Sequence, residues 1–300
     1  MPRLDDRILD CSVYLYPTVE DAQRGERAGG SGFLAALPLG KEFMRKYPDF
    51  KTWAHCYAVS NRHVVIGSSA TRRQSPVVRL NTHDGRSDAI PLTAADWVTS
   101  EKHDIAVVPL DLLRAHKFLS IPVAIFLTED LAAQWDIGLG DDVFMFGRFV
   151  THDGKQKNSP SVRFGNISMM PTDDVYHPSN ESQTQESFLI EVHSISGYSG
   201  SPVLVRAFQS EKFEVMPTNP RIPSLPRVPR GPFLLGVEWG YINTHDQSQN
   251  NTGICGVVPA WHVSDLLQTH PKLLEHRSQT EQQLEEKYLQ AGSVVTALEK

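Results

Sequence analysis

The heptapeptide GYSGSPV, residues 197–203, sets one serine between two glycines and runs through a proline into the apolar stretch SPVLV. Attack on an acyl carbon needs an exposed hydroxyl beside backbone N–H groups aimed at the oxyanion that develops. Glycines on either side of a serine let the chain turn tightly and approach a substrate closely. Pro202 then ends the turn. Ser199 is therefore the candidate nucleophile, although the same letters alone also describe an ordinary Gly/Ser turn between strands.

A nucleophilic serine needs a base, and the base needs a group to orient it. His63, in YAVSNRHVVIG, follows an apolar run. His55, in AHC, is the alternative, but it precedes that run. Asp104 opens the apolar stretch DIAVVPL, where an aspartate at a sheet rim can accept an imidazole N–H. Asp96 and Asp111 compete with it in less apolar surroundings. The candidate order is thus His63, Asp104, Ser199.

Outward from these segments, short apolar or alternating runs recur along the chain. Examples are CSVYLY (11–16), GFLAALPL (32–39), DVFMFGRFV (142–150), SFLIEV (187–192), FLLGVEWG (233–240) and GICGVVPA (253–260). Gly, Pro, Asp, Asn and Ser clusters separate them. Many short strands between turn signals predict an all-β sandwich or barrel. A short helix is expected within 41–53. Helical patterning returns over 261–274, where Pro271 interrupts a helix or begins the next. Residues 275–291, rich in Glu, Gln, Leu and Lys, should also be helical. Their apolar stripe is thin, which suits a loose tail or a partner-binding helix.

The apolar content of 40% over 300 residues is enough for a sizeable core. A net charge of −6 argues against nucleic acid or an anionic membrane as main partner. The start, MPRLDDRILDCSVYLY, lacks the basic and apolar regions of a signal peptide, so a cytoplasmic setting is expected. No apolar run approaches the roughly 18 residues of a membrane span. Cys11, Cys56 and Cys255 are odd in number and far apart, which speaks against a disulfide framework. No CxxC or HExxH spacing appears, and neither a metal nor another cofactor is expected. Prolines recur every third residue over 217–232, from Pro217 to Pro232, a spacing that would line one edge of a polyproline II segment. That segment reads as a stiff loop, or as a docking strip for a regulatory partner.

With GGSGFLAA (29–36), SNRHVV, DIAVVPL, GYSGSPV, VEWG (237–240) and GICGVVPAWHVSDLL (253–267) in this order, the sequence resembles the chymotrypsin-like serine peptidases. The likeness is to compact bacterial trypsin-like and HtrA-like protease domains, over residues 8–270. It implies two six-stranded antiparallel β-barrels with the active site between them. The first barrel would span residues 1–120, the second 121–270, and a helical tail 271–300. No segment follows that is long enough for a PDZ domain. The resemblance makes His63 the general base, Asp104 its orienting acid, and Ser199 the residue acylated by a protein or peptide substrate. It assigns the oxyanion hole to the N–H groups of Gly197 and Ser199. It places His193 at the base of the specificity pocket and Trp239 and Gly240 beside the substrate backbone. Activity should fall below about pH 6.5–7, where His63 protonates.

Three positions depart from the family pattern. Tyr198 stands where animal trypsins have the aspartate that pairs with a newly cut N-terminus, so that activation route is closed. His193 replaces a carboxylate, which turns the expected preference from Arg or Lys toward Glu or Gln. Glu238 replaces a small residue that supports the aspartate, and a second carboxylate there must raise a pKa or take another partner.

Overall fold

A computed structural model describes residues 4–67, 73–149, 154–171, 174–177, 180–192, 197–206, 232–243 and 251–298. The first half forms strands β1 (Ser12–Tyr16), β2 (Gly30–Pro38), β3 (Ala54–Ser60), β4 (Val77–Asn81), β5 (Ser87–Ile90), β6 (Val98–Thr99), β7 (Ala106–Pro109) and β8 (Ile121–Pro122). They make one eight-stranded sheet in the order β5-β4-β1-β2-β3-β7-β6, with β8 parallel to β2. The second half adds β9 (Asp142–Gly147), β10 (Ser161–Met169), the hairpin β11 (Asp174–His177) and β12 (Asn180–Glu186), β13 (Phe188–Glu191), β14 (Pro202–Val205), β15 (Phe233–Asn243) and β16 (Asn251–Pro259). Here β10-β13-β16-β15-β14-β9 close into a six-stranded barrel.

The expected pair of closed six-stranded barrels is therefore met in the second half only. The edges of the first sheet are the four-residue β5 and the two-residue β6. Strands so short offer too few ladder bonds to close on each other, and no β5–β6 pairing is seen among the described residues.

The apolar runs are explained by burial on both faces. In β9, Val143 and Met145 point into the barrel, while Phe144 and Phe146 join a second core. That second core is shared: Phe33, Ala35, Tyr57 and Val59 of the first sheet meet Leu204, Leu234, Val237 and Trp239 of the barrel. A strand in this position has no solvent face, so its sequence shows no alternation. Strand β1 is likewise buried at all five residues. Val13 and Leu15 face the interior of the first sheet. Tyr14 and Tyr16 pack with Ala22 of α1 (Val19–Arg24), whose first turn is capped by Thr18 Oγ1.

A buried arginine ties the halves together. Arg79 on β4 lies against the rings of Tyr16 and Tyr14. Its guanidinium donates to Asn158 Oδ1 at 2.8 Å, Ala22 O at 2.9 Å and Gly154 O at 2.9 Å. Two of these acceptors lie in the segment that leads into β10. A buried cation is tolerable only with its donors satisfied in this way.

The segment 41–53 is helical in two pieces, α2 (Lys41–Lys46) and a 3-10 turn at Pro48–Phe50, because Pro48 cannot continue the helix. The short α3 (Arg62–Ile66) follows β3, and α4 (Glu129–Gln134) precedes the barrel. The chain ends in α5 (Ala260–Thr269) and α6 (Pro271–Leu298), with Pro271 beginning the second helix.

The last helix is not a loose tail. Leu273 is buried in the shared core, and Leu284 packs on Leu39, Phe43 and Tyr47. Arg277 Nη1 donates to Leu267 O at 2.6 Å and reaches Tyr57 Oη at 3.3 Å. Glu281 Oε1 accepts from Gly40 N at 2.7 Å and lies 3.2 Å from His55 Nε2. Glu285 accepts from Tyr47 Oη and Lys46 Nζ. Residue 55 thus serves helix docking. The prolines from Pro217 to Pro229 lie outside the described residues.

Candidate active site

His63 sits in the first turn of α3, one turn after β3 ends at Ser60, rather than on the strand itself. Asp104 lies in the bend just before β7. Its carboxylate grips His63 twice: Oδ1 accepts from the His63 backbone N–H at 2.9 Å, and Oδ2 is 2.6 Å from Nδ1. That pairing fixes the ring and leaves Nε2 as the nitrogen that can exchange a proton. Burial disfavours the imidazolium, but the Asp104 carboxylate, by charge and by hydrogen bond, outweighs it. The Glu238 carboxylate adds to the same effect, and the His63 pKa lies above its ordinary value.

Asp104 is itself held from two sides. Its backbone N–H donates to Gln185 Oε1 at 2.8 Å, and its carbonyl accepts from Asn61 Nδ2 at 2.9 Å. Residues 185–187 do more than this. Ser187 Oγ accepts from the Trp239 indole at 3.1 Å. Glu186 Oε2 lies 2.8 Å from His262 Nε2, and the His262 ring stacks on His103 at 3.6 Å. None of these supports was legible in the sequence. They join segments more than 40 residues apart, and no local motif marks them.

Ser199 occupies the tight turn before β14, with its Oγ 3.4 Å from the Trp239 carbonyl. The turn is pinned peptide by peptide. Gly197 O accepts from Ser31 Oγ at 2.8 Å, Tyr198 O from Ser201 N at 2.7 Å, and Ser199 O from Ser31 N at 2.8 Å. Gly200 N donates to Glu238 O at 2.8 Å. Gly200 has φ +92°, and a Cβ there would stand 2.0 Å from Ser31 O, so only glycine fits. Gly30 shows the same closeness from the other side. A Cβ on it would meet Val64 of α3 and Ser199 O, both within 2.9 Å. The helix bearing His63 and the turn bearing Ser199 therefore pack on the same glycine.

Tyr198 points away from the cleft into the barrel, fully buried. Its hydroxyl is bonded to Ser161 Oγ and accepts from Arg163 Nε at 3.1 Å. Glu238 is 1% exposed and carries the backbone bond to Gly200. The Trp239 ring is buried beneath β16, in contact with Gly256, so only the backbone of that residue can face a substrate. Gly240 stands in open space at φ +152°. His193 lies outside the described residues. No group of three or more His, Cys, Asp or Glu side chains suited to a metal ion occurs among the described residues. The three cysteines are free thiols, and burial pushes Cys11 up to about 12 and Cys56 to about 11.

No curated protein matches the chain in sequence. Among solved structures, the HtrA-type protease AlgW with a tripeptide is 15% identical, with a TM-score of 0.46 over 86% of this chain and 60% of that one. The chain thus spans less than two thirds of that protease. Deg5 is 16% identical, with a TM-score of 0.48 over 88% of this chain and 92% of that one. The family model of the trypsin-like peptidase domain matches residues 30–209, more than half of the chain and the whole stretch from the Ser31 contact to Ser199. This protein belongs to the trypsin-like peptidase family.

Proposed function

We propose that the protein is a serine endopeptidase that cleaves protein or peptide substrates by limited, regulatory proteolysis, on a chymotrypsin-like frame in which the first sheet plays the part of the first barrel. The observation that carries this reading is the two-point grip of Asp104 on His63, packed through Gly30 against the turn of Ser199. In the mechanism, His63 Nε2 takes the Ser199 hydroxyl proton as the oxygen attacks the scissile carbonyl. Asp104 holds the ring in the tautomer that allows this and stabilises the imidazolium. The N–H groups of Gly197 and Ser199 receive the oxyanion. The imidazolium then returns its proton to the leaving amine, and water repeats the sequence on the acyl-enzyme. The family resemblance assigns the specificity pocket to His193, with Glu or Gln favoured before the scissile bond, and the backbone of Trp239 and Gly240 to the substrate strand.

One observation favours a second reading, a silent or partner-activated fold that binds proteins. The Ser199 hydroxyl is directed at the Trp239 carbonyl, and the preceding residue, Glu238, is a buried carboxylate. A regulatory partner would bind through segment 217–232 or the part of α6 not engaged with residues 40–57. The two readings separate in one experiment. A fluorophosphonate probe should label the wild type and not Ser199→Ala, and casein should be cut by the wild type alone. Absence of Ser199-dependent labelling in folded protein would defeat the peptidase reading and favour the binding one. A peptide-library profile dominated by cleavage after Arg or Lys would overturn the specificity assigned to His193.

A further inference from the structure

The geometry points to the Ser31 hydroxyl as a positioning residue that sets the oxyanion-binding turn from the opposite half of the molecule. The inference rests on the serine-peptidase reading of Ser199. Ser31 lies at the second position of β2 and is fully buried. Its Oγ accepts from the Arg148 backbone N–H at 2.8 Å. An N–H can only donate, so the hydroxyl's own proton is directed to its other neighbour, Gly197 O, at 2.8 Å. The carbonyl of Ser31 is fixed in turn by Ser60 Oγ at 2.7 Å. The serine is thus locked at two points, Arg148 N–H and Ser60 Oγ, before it touches the turn.

The consequence follows from the planarity of the peptide bond. Holding Gly197 O fixes the plane of the peptide between residues 197 and 198. Ser201 N, on Tyr198 O, fixes the next plane, and with it the direction of the Ser199 N–H. Tyr198 stands between the two fixed planes with its side chain anchored at Arg163 and Ser161. Loss of the Ser31 hydroxyl would strand a buried carbonyl at Gly197, which could recover a partner only by rotating its plane. That plane carries the Tyr198 N–H and lies between the two donor peptides, so its rotation changes the torsions at Gly197 and Tyr198 that set the Gly197 and Ser199 N–H groups relative to each other, while leaving the base pair His63–Asp104 in place. The backbone bond from Ser31 N to Ser199 O survives any substitution but proline, so the hydroxyl can be removed without cutting the second tie.

The test compares wild type, Ser31→Ala and Ser31→Gly by second-order rate of fluorophosphonate labelling, across pH, with melting temperature as control. Labelling should slow about 10- to 100-fold in both variants, in the range of mispositioned oxyanion donors. The midpoint of the acid limb should stay where it is in the wild type, because His63 and Asp104 are untouched. Ser31→Gly supplies the measurement should Ser31→Ala fail to fold. Labelling within twofold of wild type would overturn the inference, and so would a loss that shifts the acid limb or tracks a fall in melting temperature. The two readings fail separately: absent Ser199-dependent labelling in the wild type defeats the peptidase reading, whereas wild-type labelling of the Ser31 variants defeats only the positioning role.

Discussion

The two sides of the cleft are built on different principles. The His63 side is held by side-chain charge: one carboxylate takes two donors from one residue, and a second carboxylate, Glu238, lies within electrostatic reach. The Ser199 side is held by hydrogen bonds to its peptide groups, from backbone and from the Ser31 hydroxyl, in packing that leaves no space for a single added carbon at Gly200. The first side should therefore respond to charge and pH, and the second to shape. Interfaces between sheets can hold turns rigidly because packed cores are not deformable, whereas an ion pair keeps its strength only while its protonation states match.

The sharpest break of this contrast is Asp104→Asn. It keeps the shape, removes the charge, and should lower kcat about 10⁴-fold with little change in KM, as loss of tautomer control does in such triads. Steady-state kinetics check it; a loss below tenfold would make Asp104 a structural residue. Gly200→Ala should come next. Its Cβ would stand 2.0 Å from Ser31 O in a left-handed backbone, so kcat should fall about 10²- to 10³-fold with no shift in the pH profile. An unshifted profile would confirm that this side answers to shape alone.

Glu238→Gln should act by charge. A carboxylate stabilises the imidazolium, so removing it lowers the His63 pKa, and the neutral base then persists at lower pH. The acid limb of kcat/KM should move down, and the rate above the limb should change least. A limb that did not move would mean that no charge at Glu238 acts on His63. The smallest effect is expected far from the cleft. Glu281→Ala removes the acceptor for Gly40 N and the partner of His55. It should reduce stability by about 1 kcal/mol, read by urea unfolding, with kcat unchanged.

The sequence carried the chemistry of the site further than its supports. The sequence offers His63, Asp104 and Ser199 as candidates because reactive residue types follow one another in a workable order beside recognisable strands. His55 and His63 could be told apart by their place before and after one apolar run, and the structure gives His55 to Glu281 of the last helix. Gln185, Asn61 and Arg79 were invisible because what each does depends on a partner brought near only by folding. For Arg79 that partner lies 79 residues away. The closure of the first sheet was misjudged for a related reason. Apolar runs show that strands exist, but the two residues of β6 fix how far a ladder can extend, and a two-residue ladder leaves no periodicity to read. The thin stripe on α6 concealed its docking, because much of that contact is made by Arg277, Glu281 and Glu285 rather than by leucines.

The return of α6 to residues 40–57 also sets an order in time. A ribosome delivers Gly40 and Lys46 long before Glu281 and Glu285, and these contacts join positions as much as 241 residues apart. At about 5–20 residues per second, the first sheet waits some tens of seconds or less with that surface uncovered. Its contacts with α6 close only once Glu281 and Glu285 have been made, after the turn of Ser199. Covering of the surface at residues 40–57 is thus tied to synthesis of α6, and it follows the making of residues 197–203.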